Sequence, residues 1–420
     1  LELYPPGYSP RIPPNSIQVI TTPDGYDNFD VGINNAEQHI SANPNNPLQM
    51  VFGVNGSGTP WRHTEDAGLT WAISTPLGSN SGDPWSAYDS LGNVYVQWLS
   101  GSNNPVFRST NNGVTWGPGV TSAIGGDRNT MAVDQTTGPY GGYLYAGAWS
   151  PNCTFARSTN NGASFTVTLT TPNTTPGNMI AVGANVLGGQ DVQGGCVYYV
   201  SITGTNPVPS TFNFFRSTNG GATFDPMSSL TVAGYVGTIN TANRLVINNA
   251  RTRPYPMIAA DNSNGPYRGR LYLVYASNEP VGNGNKPDIF IQYSTDQGAT
   301  WTPRSQRVND NANPETTNEW FPFIWCDKNT GRLYVKWYDM RNDATNQRAW
   351  VYGTYSDNGG VTFAPNQKLS NADMPYPGIP CSPNTNCYRG DYDGIVAVGD
   401  VAMAVWTDFR NTTYQNMLSF

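Results

Sequence analysis

RSTNNGVTW, Arg108 to Trp116, returns almost unchanged as RSTNNGASF at Arg157–Phe165 and RSTNGGATF at Arg216–Phe224. Three looser copies are TEDAGLTW (Thr64–Trp71), STDQGATW (Ser294–Trp301) and SDNGGVTF (Ser356–Phe363). The shared pattern is Ser/Thr, any, Asp/Asn, any, Gly, any, Thr/Ser, Trp/Phe. Such a stretch is a hairpin turn. Glycine takes a positive φ, the Asp or Asn side chain folds back onto backbone N–H groups, and the closing ring plugs into the sheet. The six glycines are spaced 45, 49, 59, 77 and 62 residues apart. A period of roughly 40 to 50 residues marks the four-stranded blades of a β-propeller, and longer spacings hold insertions.

A second repeat lies between the turns: an acidic or polar start, an apolar strand, a Gly/Asn turn, then a Tyr/Val-rich strand. Its copies begin at Glu37, Asp83, Asp127, Asn178 (the weakest), Arg253, Glu319 and Gly390. Seven strand pairs against six turns predict an all-β, seven-bladed propeller of four-stranded antiparallel blades. Its last blade lacks a fourth strand, and Ser16–Thr22 supplies it, closing the ring from the N-terminus. A six-bladed ring with one degenerate pair outside it is the alternative. The domain reading is a Pro-rich leader, residues 1–15, and one propeller, residues 16–420.

The six turns resemble the Asp-box of sialidases and their relatives. The resemblance implies that the boxes join the third and fourth strands of each blade, away from any active site. Asp66 and Gly68, Asn111 and Gly113, Asn160 and Gly162, Asn219 and Gly221, Asp296 and Gly298, and Asn358 and Gly360 are then fasteners. Sialidases clamp a substrate carboxylate with three arginines and use a Tyr nucleophile, a Glu beside it and an Asp acid/base. Their Arg-Ile-Pro motif stands at the first strand of the first blade. Here Arg11-Ile12-Pro13 falls in the leader, and Gln38 or His39 takes the equivalent place. No catalytic set is assigned.

Antiparallel alternation puts the starts of the first strands, and the ends of the second, on the face opposite the boxes. That face collects Glu37, Asp83, Trp85, Asp127, Arg128, Arg253, Tyr255, Glu319, Trp320, Asp391 and Tyr392. The second strands add Tyr338, Asp339 and Arg341 from WYDMRN, and Asp408 and Arg410 from WTDFRN. Carboxylates accept sugar hydroxyls and aromatic faces stack on sugar rings, so a glycan fits this set. The plainer reading is that Asp339/Arg341 and Asp408/Arg410 are local ion pairs and that the rings near the axis are core.

The net charge of -7 and the absence of a basic run exclude a nucleic-acid surface. No apolar stretch is long enough for a membrane helix. Cys381 and Cys387 bracket CSPNTNC and read as a loop disulfide, which implies an oxidising compartment. Cys326, in FPFIWC, reads as a buried free thiol, and Cys153 and Cys196 are placed at opposite blade ends. The low charge and the start at Leu1 fit a processed, secreted chain. With no His/Cys cluster, no metal or other cofactor is assigned. Calcium in acidic loops such as Asn309–Asn313 is left without a specific site.

The function expected is a secreted, non-catalytic module that binds a glycan or an extracellular protein. The alternative is a sialidase-like glycoside hydrolase, or a lyase, acting on an acidic glycan. The leader, with Leu1, Leu3, Tyr4, Tyr8 and Ile12 among its prolines, is expected to dock on a second copy and link propellers head to tail.

Overall fold

The computed structural model describes residues 21–419 except 23–24, 27, 57–60, 79–81, 102, 123, 282–283, 305, 379–380, 382–383, 385–386, 400 and 412–414. Expectations that fall on the leader, including self-association, lie outside the described residues. Helix is confined, among those described, to two 3-10 turns, Leu187–Gly189 and Pro314–Thr316.

The rest is β-structure. Seven antiparallel sheets of four strands or more follow one another along the described chain. Their first strands are His39–Asn43, Trp85–Tyr88, Asp127–Val133, Met179–Asn185, Met257–Ala260, Glu319–Cys326 and Gly394–Val398. All seven coincide with the second repeat to within a few residues, and the weak copy after Asn178 forms a complete sheet. Each first strand packs on the next in this order, and Gly394–Val398 packs on His39–Asn43.

Second strands such as Leu144–Trp149 and Leu333–Asp339 are buried along nearly their whole length. A strand covered by neighbouring sheets on both faces reads as a continuous apolar run. The fourth strands face solvent and are polar, as in Thr166–Thr171 and Asp225–Thr231. The 77-residue spacing is filled by an insertion between the fourth and fifth sheets. It carries its own three-stranded sheet, Thr238–Ile239, Leu245–Ile247 and Ala250–Arg251.

One expectation is corrected. The outer strand of the seventh sheet is Phe29–Asp30, with Phe29 opposite Leu418 and Asp30 opposite Met417. Of Ser16–Thr22, only Thr21–Thr22 is described, and it pairs with Gly25–Tyr26. The apolar look of SIQVITT favoured the wrong segment. What holds the outer position is Phe29 on Leu418, the Val31 N–H donating to Asn416 O at 2.9 Å, and Asn28. The Asn28 amide donates to Leu369 O at 2.9 Å, and its Oδ1 accepts the Asn371 N–H at 2.8 Å.

The boxes share one hydrogen-bond scheme. The first Ser/Thr oxygen accepts the glycine N–H at 2.7 to 3.0 Å in all six. The Asp or Asn Oδ1 accepts the N–H four residues on at 2.8 to 3.0 Å. The residue before each glycine also has positive φ, as at Asn112 (56°) and Gln297 (56°). At two of these positions the side chain fastens: Asn112 Nδ2 donates to Thr64 O of the previous box at 2.7 Å, and Gln297 Nε2 to Ala184 O of the previous sheet at 3.1 Å. The disulfide Cys381–Cys387 is present. Cys153, Cys196 and Cys326 are free, and Cys326 is half-buried rather than buried.

Gly113, at φ +76°, has Val51 of the preceding sheet 3.0 Å from where a Cβ would stand and Trp116 at 3.2 Å. Gly113→Val combines backbone strain with a clash and is expected to cost about 2 kcal/mol or more. Calorimetry should show a melting temperature lower by several degrees, and an unchanged melting temperature would contradict the fastener role.

Candidate functional site

Three polypeptide entries into first strands are strained. Glu37, Asp83 and Arg128 have φ of 55°, 46° and 52°. Each non-glycine residue in this region costs on the order of 1 kcal/mol and persists only where its surroundings fix it. Here hydrogen bonds do so. The Arg128 N–H donates to Asp83 Oδ2 at 2.7 Å, and Asn129 Nδ2 to Asp83 O at 2.6 Å. Glu37 Oε1 accepts the Asp391 N–H at 3.1 Å, and Oε2 accepts Asn55 Nδ2 at 2.7 Å.

The strained turns aim two carboxyl groups at each other. Glu37 and Asp83 are both buried and stand close enough for each to act on the other's ionisation. Burial, then the charges of Asp83 and Asp391, holds the Glu37 carboxyl well above the usual range. Burial, then Asp127, pushes Asp83 up to about 6, against the opposing pull of Glu37 and Arg128. One proton shared by the pair meets both demands.

Asp391 is engaged differently. Arg251 grips it with two bonds, Nε to Oδ1 at 2.8 Å and Nη2 to Oδ2 at 2.6 Å. Arg253 Nε lies 3.5 Å from Oδ2. The Arg251 guanidinium stacks 4.6 Å above the Tyr388 ring, and Asn55 Nδ2 links the Tyr388 hydroxyl to Glu37. Arg251 ends the inserted sheet, which rests on the disulfide loop. Its N–H donates to Cys387 O at 2.9 Å, and Asn249 Nδ2 to Cys381 O at 3.3 Å.

Beneath the carboxyl pair, Arg128 is only 1% exposed. Its guanidinium carbon lies 5.1, 4.9 and 4.1 Å from the ring centroids of Trp85, Tyr255 and Tyr392. Cation–π contact replaces solvent for this buried charge.

The structure therefore gathers Glu37, Asp83, Trp85, Arg128, Arg253, Tyr255, Asp391 and Tyr392 about one end of the axis, with exposed Asp127 near them. The three rings enclose Arg128 and are not open platforms for a sugar. The remaining candidates stand apart. Asp339 pairs with Arg341 and Asp408 with Arg410, both at 2.7 Å. The indoles of Trp337 and Trp406 donate to the same two aspartates. Arg341 continues to Asp310 and Asn366, and Arg410 to Asn371 and Asn28, so these pairs tie strand ends together. Trp320 and Tyr338 are buried and stacked 5.4 Å apart. Glu319 is buried and accepts the Thr317 hydroxyl at 2.8 Å.

Sequence reasoning missed Arg251, Asn55 and Tyr388. RTRP hinted at the first, because alternate residues of an extended chain share a side. CYRGDYD set Tyr388 beside Asp391. The buried ion pair of Lys336 with Asp393, at 2.6 Å, was also unread.

A family model described as BNR/Asp-box repeat matches residues 292–303, the fifth turn. The chain carries the Asp-box repeat. Among curated proteins, no sequence matches. Of solved structures, Kuenenia stuttgartiensis hydrazine synthase aligns with a TM-score of 0.51 and 9% identity, over 92% of this chain and 96% of that one. The GH74 enzyme of Niastella koreensis has a TM-score of 0.48 and 19% identity, over 82% of this chain and 47% of its own. The GH74 xyloglucanase of Xanthomonas campestris has 0.49 and 14%, over 93% of this chain and 55% of its own. The chain thus spans about half the length of these two enzymes. At such identities the likeness concerns fold alone.

The Asp83 carboxyl, pushed up to about 6, holds a proton in the folded state that the unfolded chain releases near pH 4. Its contribution to stability is present at lower pH and is lost as pH rises from about 4 through about 6. Urea unfolding between these values should show a less negative slope of stability against pH for Asp83→Asn than for the wild type. Equal slopes would contradict the assignment.

Proposed function

We propose that the chain is a seven-bladed Asp-box propeller, closed through Phe29–Asp30, that works outside the cytosol as a non-catalytic glycan-binding module. The ligand sits at the axial mouth formed by Glu37, Asp83, Arg251, Arg253, Tyr388 and Asp391. Ring closure is supported by the packing of the seventh first strand on the first, and by Leu418 lying 2.3 Å from a Cβ position at Gly68 of the first box. The disulfide supports an oxidising compartment.

The observation that carries the binding reading is that Glu37 and Asp83 are buried side by side, with oxygens taken up by Asn55 and by the Asp391 and Arg128 N–H groups. Glycoside hydrolysis by two carboxyl groups needs roughly 5 to 10 Å between them, so that they straddle the scissile bond. Carboxyl groups buried side by side leave no such gap. Arg251 and Arg253, each partly exposed, add donors, and Tyr388 adds an aromatic surface.

Hydrolysis through Tyr388 with Glu37 beside it is the second reading, favoured by their contact. Burial, then the charges of Glu37 and Asp391, raises the Tyr388 hydroxyl, whereas a phenolate nucleophile needs the opposite shift.

A glycan array, followed by calorimetry on the best ligand, tests the proposal. Arg251→Ala should weaken binding by roughly 10-fold or more, the scale of a lost charged hydrogen bond. Failure to bind any glycan, or release of a sugar product from the bound one, would contradict it.

A further inference from the structure

Below Arg128 the first strands line a partly open axial cavity of about 130 Å³. The Arg128 cage separates it from the mouth. Trp85, Met131, Met179, Ile258 and Phe323 line it, together with His39. At the far end the Lys328 ammonium donates to Gln135 O at 3.0 Å, joining the sixth sheet to the third. A ligand arriving from the box face has to pass this side chain.

His39 shares the polar part of the lining with Ser41, Ser86, Gln135, Asn262 and Lys328, and its tautomer follows from its partners. Nδ1 lies 3.2 Å from the Ser86 backbone N–H, which can only donate, so Nδ1 is an acceptor. Burial, then the Arg128 charge, lowers the imidazole to about 3, and the ring is neutral. The proton is therefore on Nε2. The two serines beside it satisfy themselves: Ser41 Oγ donates to Ser86 Oγ at 2.8 Å, and Ser86 Oγ lies 3.1 Å from Nδ1. The ring is fixed by stacking on Trp85 at 4.2 Å and by the edge of Phe323 at 6.3 Å. Among the described residues no acceptor meets the Nε2–H.

We infer that this cavity is a second binding site, distinct from the mouth, for a small apolar molecule of about one six-membered ring that carries a single hydrogen-bond acceptor. The size agrees with the roughly 150 Å³ apolar cavities that take up benzene. An acceptor on the ligand satisfies the donor while the ring takes the apolar surface.

Cyclohexanone and cyclohexane, matched in size, are the probes. Calorimetry and thermal shift should show both binding the wild type, the ketone about fivefold tighter, the scale of one neutral hydrogen bond. His39→Phe should equalise the two, and Ala181→Leu, which fills the cavity, should abolish both. Arg251→Ala at the mouth should leave both unchanged, so the outcome is independent of glycan binding. If His39→Phe does not fold, the His39 Nε2–H signal in the wild-type NMR spectrum should shift on adding ketone and not on adding cyclohexane. The inference is overturned if neither probe binds, if both bind the wild type equally, or if ordered waters fill the cavity and the ketone does not displace them.

Discussion

A sheet of four strands has two bare edges and two faces, and none of these sheets is stable alone. The constraint that organises the molecule is the covering of every face by the next sheet. The box turn accomplishes this locally. Its Ser/Thr oxygen and Asp/Asn carboxamide or carboxylate satisfy the turn's own N–H groups, so the backbone can be buried without loss. Its two left-handed residues then bring the chain close enough to touch the sheet before it. Gly113 meets Val51 in this way, Gly221 meets Phe155 and Gly360 meets Ile291. The bonds of the boxes are spent inside the turn and between sheets, which is why the repeated motif is a fastener.

With one end of the sheets committed to fastening, the buried charges gather at the other. Five of the seven first strands contribute opening residues to a crowded centre there. Charge in that crowd is handled in three ways: a shared proton for Glu37 and Asp83, a bidentate arginine for Asp391, and three rings around Arg128. The long insertion between the fourth and fifth sheets and the disulfide loop support each other over this centre. They bring Arg251 onto Asp391 and set Tyr388 beside Asn55.

Most of the fold was legible because repeats are written at fixed spacing. Seven openings and six boxes were countable, and the boxes' hydrogen bonds follow from residue type alone. The closing strand was not legible. Phe29–Asp30 is two residues long and is selected by long-range partners, Leu418 and Met417, so SIQVITT looked more like a strand. The site was half legible. Acids at strand starts could be seen, but the packing of Trp85, Tyr255 and Tyr392 around Arg128 could not. WYDMRN and WTDFRN, the most suggestive strings, are ties between strand ends. Arg251 went unseen because the insertion that brings it to Asp391 has no repeat to give it a place.

The N-terminal segment pairs with the outer edge of the last sheet through Phe29–Asp30. Hydrogen exchange at the Met417 and Leu418 amides tests this most directly, in the intact chain and in one lacking residues 1–31. The account predicts slow exchange in the intact protein, governed by unfolding of the sheet, and exchange faster by at least 10-fold, roughly 1.4 kcal/mol of lost protection, in the shortened chain. Fast exchange in the intact protein, or equal protection in both, would contradict it.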